Sequence, residues 1–331
     1  MLRQVRWISI AVALMSGTLA TSLPAQAASP VTLKLAHDQL PGQGYSLGVD
    51  KFVEFLKEKV GDRVQIQVFD NGVLGNERDV TEGLDLGTQE MSITTFGVLT
   101  NYEPRLSVMN LPFIFSDWKQ VNAVLDGGVM DETFDRLEKK KGLKALAVYA
   151  LGFRNVGTNV APITSVESFK GLKIRVPQAP LFIDTFKALG ANPTPLPWGE
   201  LYTAMQTKVV DAFENSSPIV EQFKLNEVTK YLSRTGHIWE GGVLLISAAK
   251  FNSLDPDVQK AMISSARESA RYQRALIEKQ VNEVEAKLAA AGMKVNSLDT
   301  APLRERVAPL YEEFAKKNDA AALIEKVKNP S

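Results

Sequence analysis

The chain has 331 residues, with 38 basic and 38 acidic side chains, 45% hydrophobic residues and no cysteine. At about 150 residues per domain this length predicts two domains, and so ordinary an apolar fraction excludes a disordered chain. Balanced charge argues against a nucleic-acid partner, the lack of cysteine excludes disulfides, thiolate-bound metals and a thiol nucleophile, and His37 and His237 are too few imidazoles for most catalytic zinc sites.

The first 27 residues read as an address. Arg3 and Arg6 form a short basic region, Trp7 to Ala20 is mostly apolar, and Ala25-Gln26-Ala27 puts small residues where a signal peptidase reads. That is the layout of a secretory signal peptide cleaved near Ala27. The apolar run is shorter than the ~20 residues needed to span a bilayer. The expected product is exported to the periplasm, where no steady supply of NAD or ATP favours a nucleotide-dependent enzyme.

Beyond the leader, Val31 to His37 alternates as a strand, Val53 to Val60 has helical spacing, and Val64 to Phe69 alternates again. Glu77 to Leu86 reads as a helix and Glu90 to Thr95 as a short strand. Strand and helix then recur at Ala145–Ala150, Leu172–Val176, Pro180–Leu189, Glu200–Gln206 and Val209–Phe213. Repeated β-α units predict parallel sheets covered by helices. Asp255 to Ala291 has no glycine and only Pro256 near its start, which predicts one long helix capped by Asp255. Such a helix exceeds what one compact domain needs and is expected to span two. Helices over about Pro302–Lys317 and Ala320–Lys328 close the chain. No Pro/Ser linker separates two domains, so the chain is expected to cross between them more than once.

In open α/β sheets ligands sit beyond the carboxyl ends of the strands, so polar residues at the predicted strand ends are the candidates. Arg154 follows an apolar run, Arg175 ends Leu172–Val176, Asn215 follows Phe213, and His37 ends the first strand. Two arginines suit an anion, since each offers a planar, permanently charged fork that grips a carboxylate through two hydrogen bonds. Each could instead be tied into a structural ion pair. Asn215 is open to a plain turn role, and Trp198 either walls the ligand or packs in the core.

Two enzyme-like patterns fail on context. Gly44-Tyr-Ser46-Leu-Gly48 matches a nucleophile elbow, with Asp211 and His237 downstream in hydrolase order. Only one strand precedes Ser46, however, and Pro41 and two glycines separate His37 from it. An exported serine hydrolase using Ser46 is therefore the alternative function. The spacing Gly42-x-Gly44-x-x-x-Gly48 has one residue too many for a dinucleotide fingerprint.

Several segments together resemble a known family. They are Leu33-Lys-Leu-Ala-His37, Gly72-Val-Leu-Gly-Asn-Glu77, Leu111-Pro-Phe-Ile-Phe115, Lys170-Gly-Leu-Lys-Ile-Arg-Val-Pro177, Leu189-Gly-Ala-Asn-Pro-Thr-Pro195, Glu200-Leu-Tyr-Thr-Ala-Met-Gln206 and Val210-Asp-Ala-Phe-Glu-Asn215. In combination the chain resembles the solute-binding proteins of tripartite ATP-independent periplasmic (TRAP) transporters, the DctP family. The resemblance implies an α/β fold of the two-domain periplasmic-binding-protein type (type II-like), with hinge strands and a long helix spanning both domains. Residues 28–151 with 241–280 would form the first domain, and 152–240 with 281–331 the second.

It also implies a site. Arg175 matches the carboxylate-binding arginine, Arg154 a second arginine, Asn215 an assisting amide and Trp198 an aromatic wall. Glu77, Thr95, Phe96 and His37 fall where the first domain lines the cleft. Thr95 and Val98 replace the acidic residue and arginine of sialic-acid binders, which argues against that ligand. The function implied is capture of a small organic acid (a sugar acid, dicarboxylate or related carboxylate), without catalysis or cofactor and with no metal-ligating residue singled out, a metal ion bridging to the ligand being left open. The acid would pass to a membrane permease of small and large subunits, and the receptor would be a monomer. The receptor of an ATP-driven importer would look similar in fold, but the motif set favours the TRAP type.

Overall fold

A computed structural model describes residues 30–330. The expected signal peptide and its cleavage position lie outside the described residues. The chain opens with β1 (Val31–Ala36), α1 (Tyr45–Val60), β2 (Val64–Phe69), α2 (Glu77–Asp85), β3 (Met91–Thr95) and the short α3 (Phe96–Leu99). Helices α4 (Trp118–Asp126) and α5 (Asp131–Lys141) lead into β4 (Leu143–Thr158). A second alternation follows: β5 (Lys173–Val176), α6 (Pro180–Ala188), β6 (Asn192–Pro195), α7 (Leu201–Gln206), β7 (Ala212–Ser216) and α8 (Ser217–Gln222). The chain closes with β8 (Tyr231–Ser247), α9 (Ala248–Asn252), α10 (Pro256–Ala290), β9 (Lys294–Ser297), α11 (Ala301–Val307), α12 (Pro309–Asn318) and α13 (Ala321–Lys328).

The strands form one sheet in the order β2-β1-β3-β8-β4-β7-β5-β6, with β9 beside β8. Its flanks are parallel, as the β-α repeats predict: β1 pairs β2 and β3, and β5 pairs β6 and β7. Its centre is not. β4 and β8 run antiparallel to each other over nearly their whole length. At about 3.3 Å per residue, strands of 16 and 17 residues run roughly 50 Å, well over twice the usual length. The first half of β4 and the end of β8 serve one flank, where β3 joins. The end of β4 and the start of β8 serve the other, where β7 and β9 join. Register shifts between Ala150 and Gly152 and between Arg154 and Val156 mark the crossing. The chain thus passes between the flanks along strands rather than through a linker.

Helix α10 joins the flanks on the outside. Val258, Met262, Ala266 and Ala270 pack with Leu33, Phe52 and Ile246, whereas Val284 and Leu288 pack with Leu201, Phe213 and Leu232. Midway, Gln273 donates to the Ala150 carbonyl at 2.9 Å and accepts from its N–H at 2.8 Å, beside the bulge. The helix therefore buttresses the crossing point as well as both cores.

Several local expectations shift. Asp255 sits at the N-cap of α10 with extended backbone, but its side chain makes no capping bond. The helix expected over Pro302–Lys317 is two, because Pro309 lacks the N–H that would continue α11. After that break the chain leaves the second flank. Leu303 and Val307 pack with Ile174 and Phe186, but Phe314, Leu323 and Val327 pack with Leu106 and Val121 on the first side.

Candidate functional site

A cavity of about 320 Å³ lies between the flanks, at the carboxyl ends of the parallel strands. Arg175, on β5, reaches it from the second flank. Its Nε and Nη2 donate to the Leu196 carbonyl at 3.0 and 2.6 Å, which aims the guanidinium, and Nη1 keeps no protein partner among the described residues. The Trp198 ring stands 5.6 Å away and is itself held edge-on by Phe223 at 4.8 Å. No carboxylate of the described residues lies within ion-pair distance of Arg175, although the side chain is only 3% exposed. Burial draws its pKa down to about 10, against the pull of the Glu214 charge, so it remains a cation at neutral pH.

Asn215 comes from the adjacent strand. Arg175 pairs with Phe213 across β5 and β7, and Asn215 lies two residues further along. Its Oδ1 accepts from Ser216 N at 2.8 Å, leaving Nδ2 as a free donor among the described residues. A charged fork and an amide thus converge from neighbouring strand ends, a donor set matched to a carboxylate.

Arg154 differs from the expectation of a second free fork. It lines the cavity from β4, but Glu214 holds it through both carboxylate oxygens, with Nη2 at 2.7 Å from Oε1 and also 2.7 Å from the Glu214 carbonyl. Arg154 is opposite Ser216 in the β4–β7 register, so Glu214 is its diagonal neighbour on the same face. Burial alone would raise the Glu214 carboxyl, yet the Arg154 charge and the hydrogen bonds from His237 and Arg154 hold it low. His237 completes this cluster, with Nε2 at 3.3 Å from Glu214 and Nδ1 at 2.8 Å from the Thr235 hydroxyl. β5 and β4 therefore present one unpaired guanidinium and one neutralised one, whose Nη1 alone has no partner among the described residues, and Arg78 of α2 lines the cavity as well.

Opposite stands the first flank. Asn76 caps α2, accepting from Arg78 N at 2.9 Å and Asp79 N at 3.3 Å, which sets Glu77 on the first turn facing the cavity. Glu77 Oε2 accepts from the Thr95 N–H at 3.1 Å and from its hydroxyl at 2.6 Å. Burial and the nearby Asp38 push the Glu77 carboxyl well above its ordinary range. Asp38, Asn101, Gln178 and Glu240 also line the space; none was a sequence candidate. Glu240 alone carried a signal, a lone carboxylate inside the apolar run Ile238 to Ile246.

Two expected residues do not line the cavity. Phe96 is wholly buried, stacked on Phe134 at 6.3 Å and tilted against Trp239 at 6.4 Å, because the helical turn after Thr95 swings it into the core. His37 is 2% exposed, with Nε2 at 3.1 Å from Asp70 and Nδ1 accepting from Gln39 N. The hydrolase constellation is not assembled either. Ser46 is buried in the first turn of α1, its hydroxyl accepting from Gly42 N at 3.1 Å, and His237 is engaged elsewhere.

The sequence and the fold have counterparts in known proteins. Residues 35–318 match the family model DctP, described as bacterial extracellular solute-binding protein, family 7. The 2,3-diketo-L-gulonate-binding periplasmic protein of Escherichia coli is 33% identical over 80% of both chains. A TRAP periplasmic solute-binding protein from a Polaromonas species, bound to D-erythronate, superposes with a TM-score of 0.87 at 30% identity, covering 91% of this chain and 99% of that one. Another from Sulfurospirillum deleyianum, with bound succinate, gives 0.85 at 28% identity, covering 92% and 100%. With a cavity lined by unspent donors, no nucleophile assembled at Ser46 and a family match over most of its length, the chain belongs to the DctP family of TRAP periplasmic solute-binding proteins, which bind their solutes and do not transform them.

Proposed function

We propose that this receptor captures a small organic acid in the cavity and delivers it to a TRAP permease made of a small and a large membrane subunit. The protein works as a monomer, exported and trimmed near Ala27. Two units hinge about β4 and β8 and close on the ligand: residues 28–151 with 241–280, and 152–240 with 281–331, the second giving up α12 and α13, which pack on the first side. The observation that carries this reading is the unpaired, buried Arg175. A desolvated charge with no counterion costs several kcal/mol, and a ligand carboxylate supplies that counterion. Arg175 Nη1 and Asn215 Nδ2 donate to the acid, and Trp198 packs on its carbon skeleton. Closure removes bulk water and strengthens the ion pair. Glu77, with Oε2 taken by Thr95, accepts from the far end of the ligand through Oε1.

The relatives hold both a hydroxy acid and a dicarboxylate, so the class here is organic carboxylates of a size that fits about 320 Å³. Native mass spectrometry of the protein as purified, followed by calorimetric titration with organic acids, tests the reading. One acid should bind with 1:1 stoichiometry and be recovered unchanged. Turnover of the bound compound, or indifference to every carboxylate, would contradict it.

A further inference from the structure

Glu240 is left unexplained by carboxylate capture. It lies on β8 at the crossing, opposite Gly152 of β4, and is 1% exposed while lining the cavity. Oε1 accepts from Asn110 Nδ2 and from Gly241 N, each at 3.2 Å. Oε2 has no hydrogen-bond partner and no cation within ion-pair distance among the described residues. It faces Gly97, where a β-carbon would come within 3.4 Å. A carboxyl oxygen this deeply buried, unpartnered and set in a cavity wall is a vacant acceptor.

Its surroundings identify what would fill it. Asp38, Glu77 and Glu240 line the cavity, whereas Glu214 is neutralised by Arg154. A second carboxylate at the end of the ligand away from Arg175 is acceptor-only when ionised and offers the Glu240 oxygen no proton. A hydroxyl would instead donate a charge-assisted bond. An ammonium is less well matched, because it bonds only the ionised carboxylate, whereas a hydroxyl donates to that form and accepts from the protonated one.

We infer that Glu240 is a specificity-determining contact: its Oε2 accepts from a ligand hydroxyl, selecting hydroxylated monocarboxylates over dicarboxylates. This rests on the reading of the cavity as an organic-acid site and narrows it. The charged and titratable groups facing Glu240 are Arg154 from β4, Glu214 from β7, Glu77 from α2 and Tyr45 from α1. Burial raises the Glu240 carboxyl to about 7. It can therefore accept a ligand hydroxyl when ionised and donate to the hydroxyl oxygen when neutral.

The test is titration calorimetry of the whole mature protein with a four-carbon series (erythronate, succinate, butyrate and 4-aminobutyrate) and the six-carbon pair gluconate and adipate. The parent should bind a hydroxy acid at least about tenfold more tightly than the diacid of the same length. Glu240→Gln is isosteric and keeps the acceptor for Asn110 and Gly241. It should weaken the hydroxy acid about tenfold or more and narrow the gap to the diacid. Glu240→Asp, which withdraws the carboxylate by one methylene, is the second variant should the amide fail to fold. Hydroxy-acid affinity within about twofold of the parent in Glu240→Gln overturns the inference, as does a parent that prefers succinate or 4-aminobutyrate. If the parent binds none of these acids, the organic-acid reading itself falls, a result distinct from the other two.

Discussion

Glu214 grips Arg154 with both carboxylate oxygens across the β4–β7 ladder, while Arg175, one strand further on, has no acidic partner among the described residues. The two arginines therefore do different work. The Arg154–Glu214 pair is wholly desolvated, and removing one member leaves a buried charge uncompensated. Glu214→Gln is expected to destabilise the free protein by about 3–5 kcal/mol, read as a lower urea midpoint at constant slope. A loss below ~1 kcal/mol, the size of a surface pair, would contradict a structural role.

Gly97 sets how closely the flanks approach. A β-carbon there would lie 3.2 Å from Phe182 Cε2 and 3.5 Å from Ala179 Cβ, both in or beside α6 on the other side of the cavity. Gly97→Leu should prop the site apart. Affinity for the bound acid is expected to fall at least about tenfold, because each ångström of separation weakens the enclosed ion pair. The thermal transition without ligand should move little by comparison. Small-angle scattering with saturating ligand checks it: the variant should stay as extended as its free form, and unaltered compaction would exclude a wedge.

The carboxyl at Glu240 gives a signed pH dependence. Its folded pKa, about 7, lies above its ordinary value of 4.5. Between these values the folded chain keeps a proton that the unfolded chain has released, so stability falls as pH rises from about 4.5 to about 7. At about 1.4 kcal/mol per unit the ceiling is on the order of 3 kcal/mol. Glu240→Gln removes this contribution and should be more stable than the parent at pH 8. Some slope should persist, because Glu77 is shifted the same way. Urea midpoints at pH 5 and pH 8 for both proteins decide it, and equal pH dependence in the two would contradict the assignment.

The parallel flanks were legible because β1, β2 and β5 alternate or carry branched residues, and their partners follow from β-α handedness. The antiparallel centre was not. β8 contains Gly236, Gly241 and Gly242 and the charged Arg234 and Glu240, which break any strand pattern. Two of its glycines answer to neighbours distant in sequence: a β-carbon on Gly242 would sit 2.5 Å from the Tyr45 ring, and one on Gly241 2.7 Å from the Tyr149 carbonyl. The site divides in the same way. That Arg175 and Asn215 line the cavity was readable from their places at strand ends, whereas Trp198 read as either ligand wall or core. The neutralisation of Arg154 depends on the β4–β7 register, which no local spacing reveals. Phe96 and His37 were misplaced because one residue along a turn moves a side chain from cavity to core.

The central claim is that an unpaired Arg175 supplies the charge that holds the ligand. Titration calorimetry of Arg175→Ala and Arg175→Lys against the acid bound by the parent tests it most directly, alongside thermal melts without ligand. Arg175→Ala should weaken binding at least about a hundredfold, the loss of the Nη1 charge-assisted bond together with the counterion of the ligand carboxylate. Arg175→Lys should fall between, keeping the charge but not the fork, and free Arg175→Ala should melt no lower than the parent, because no ion pair is lost and an uncompensated buried charge is removed. Binding by Arg175→Ala within about threefold of the parent would contradict the account.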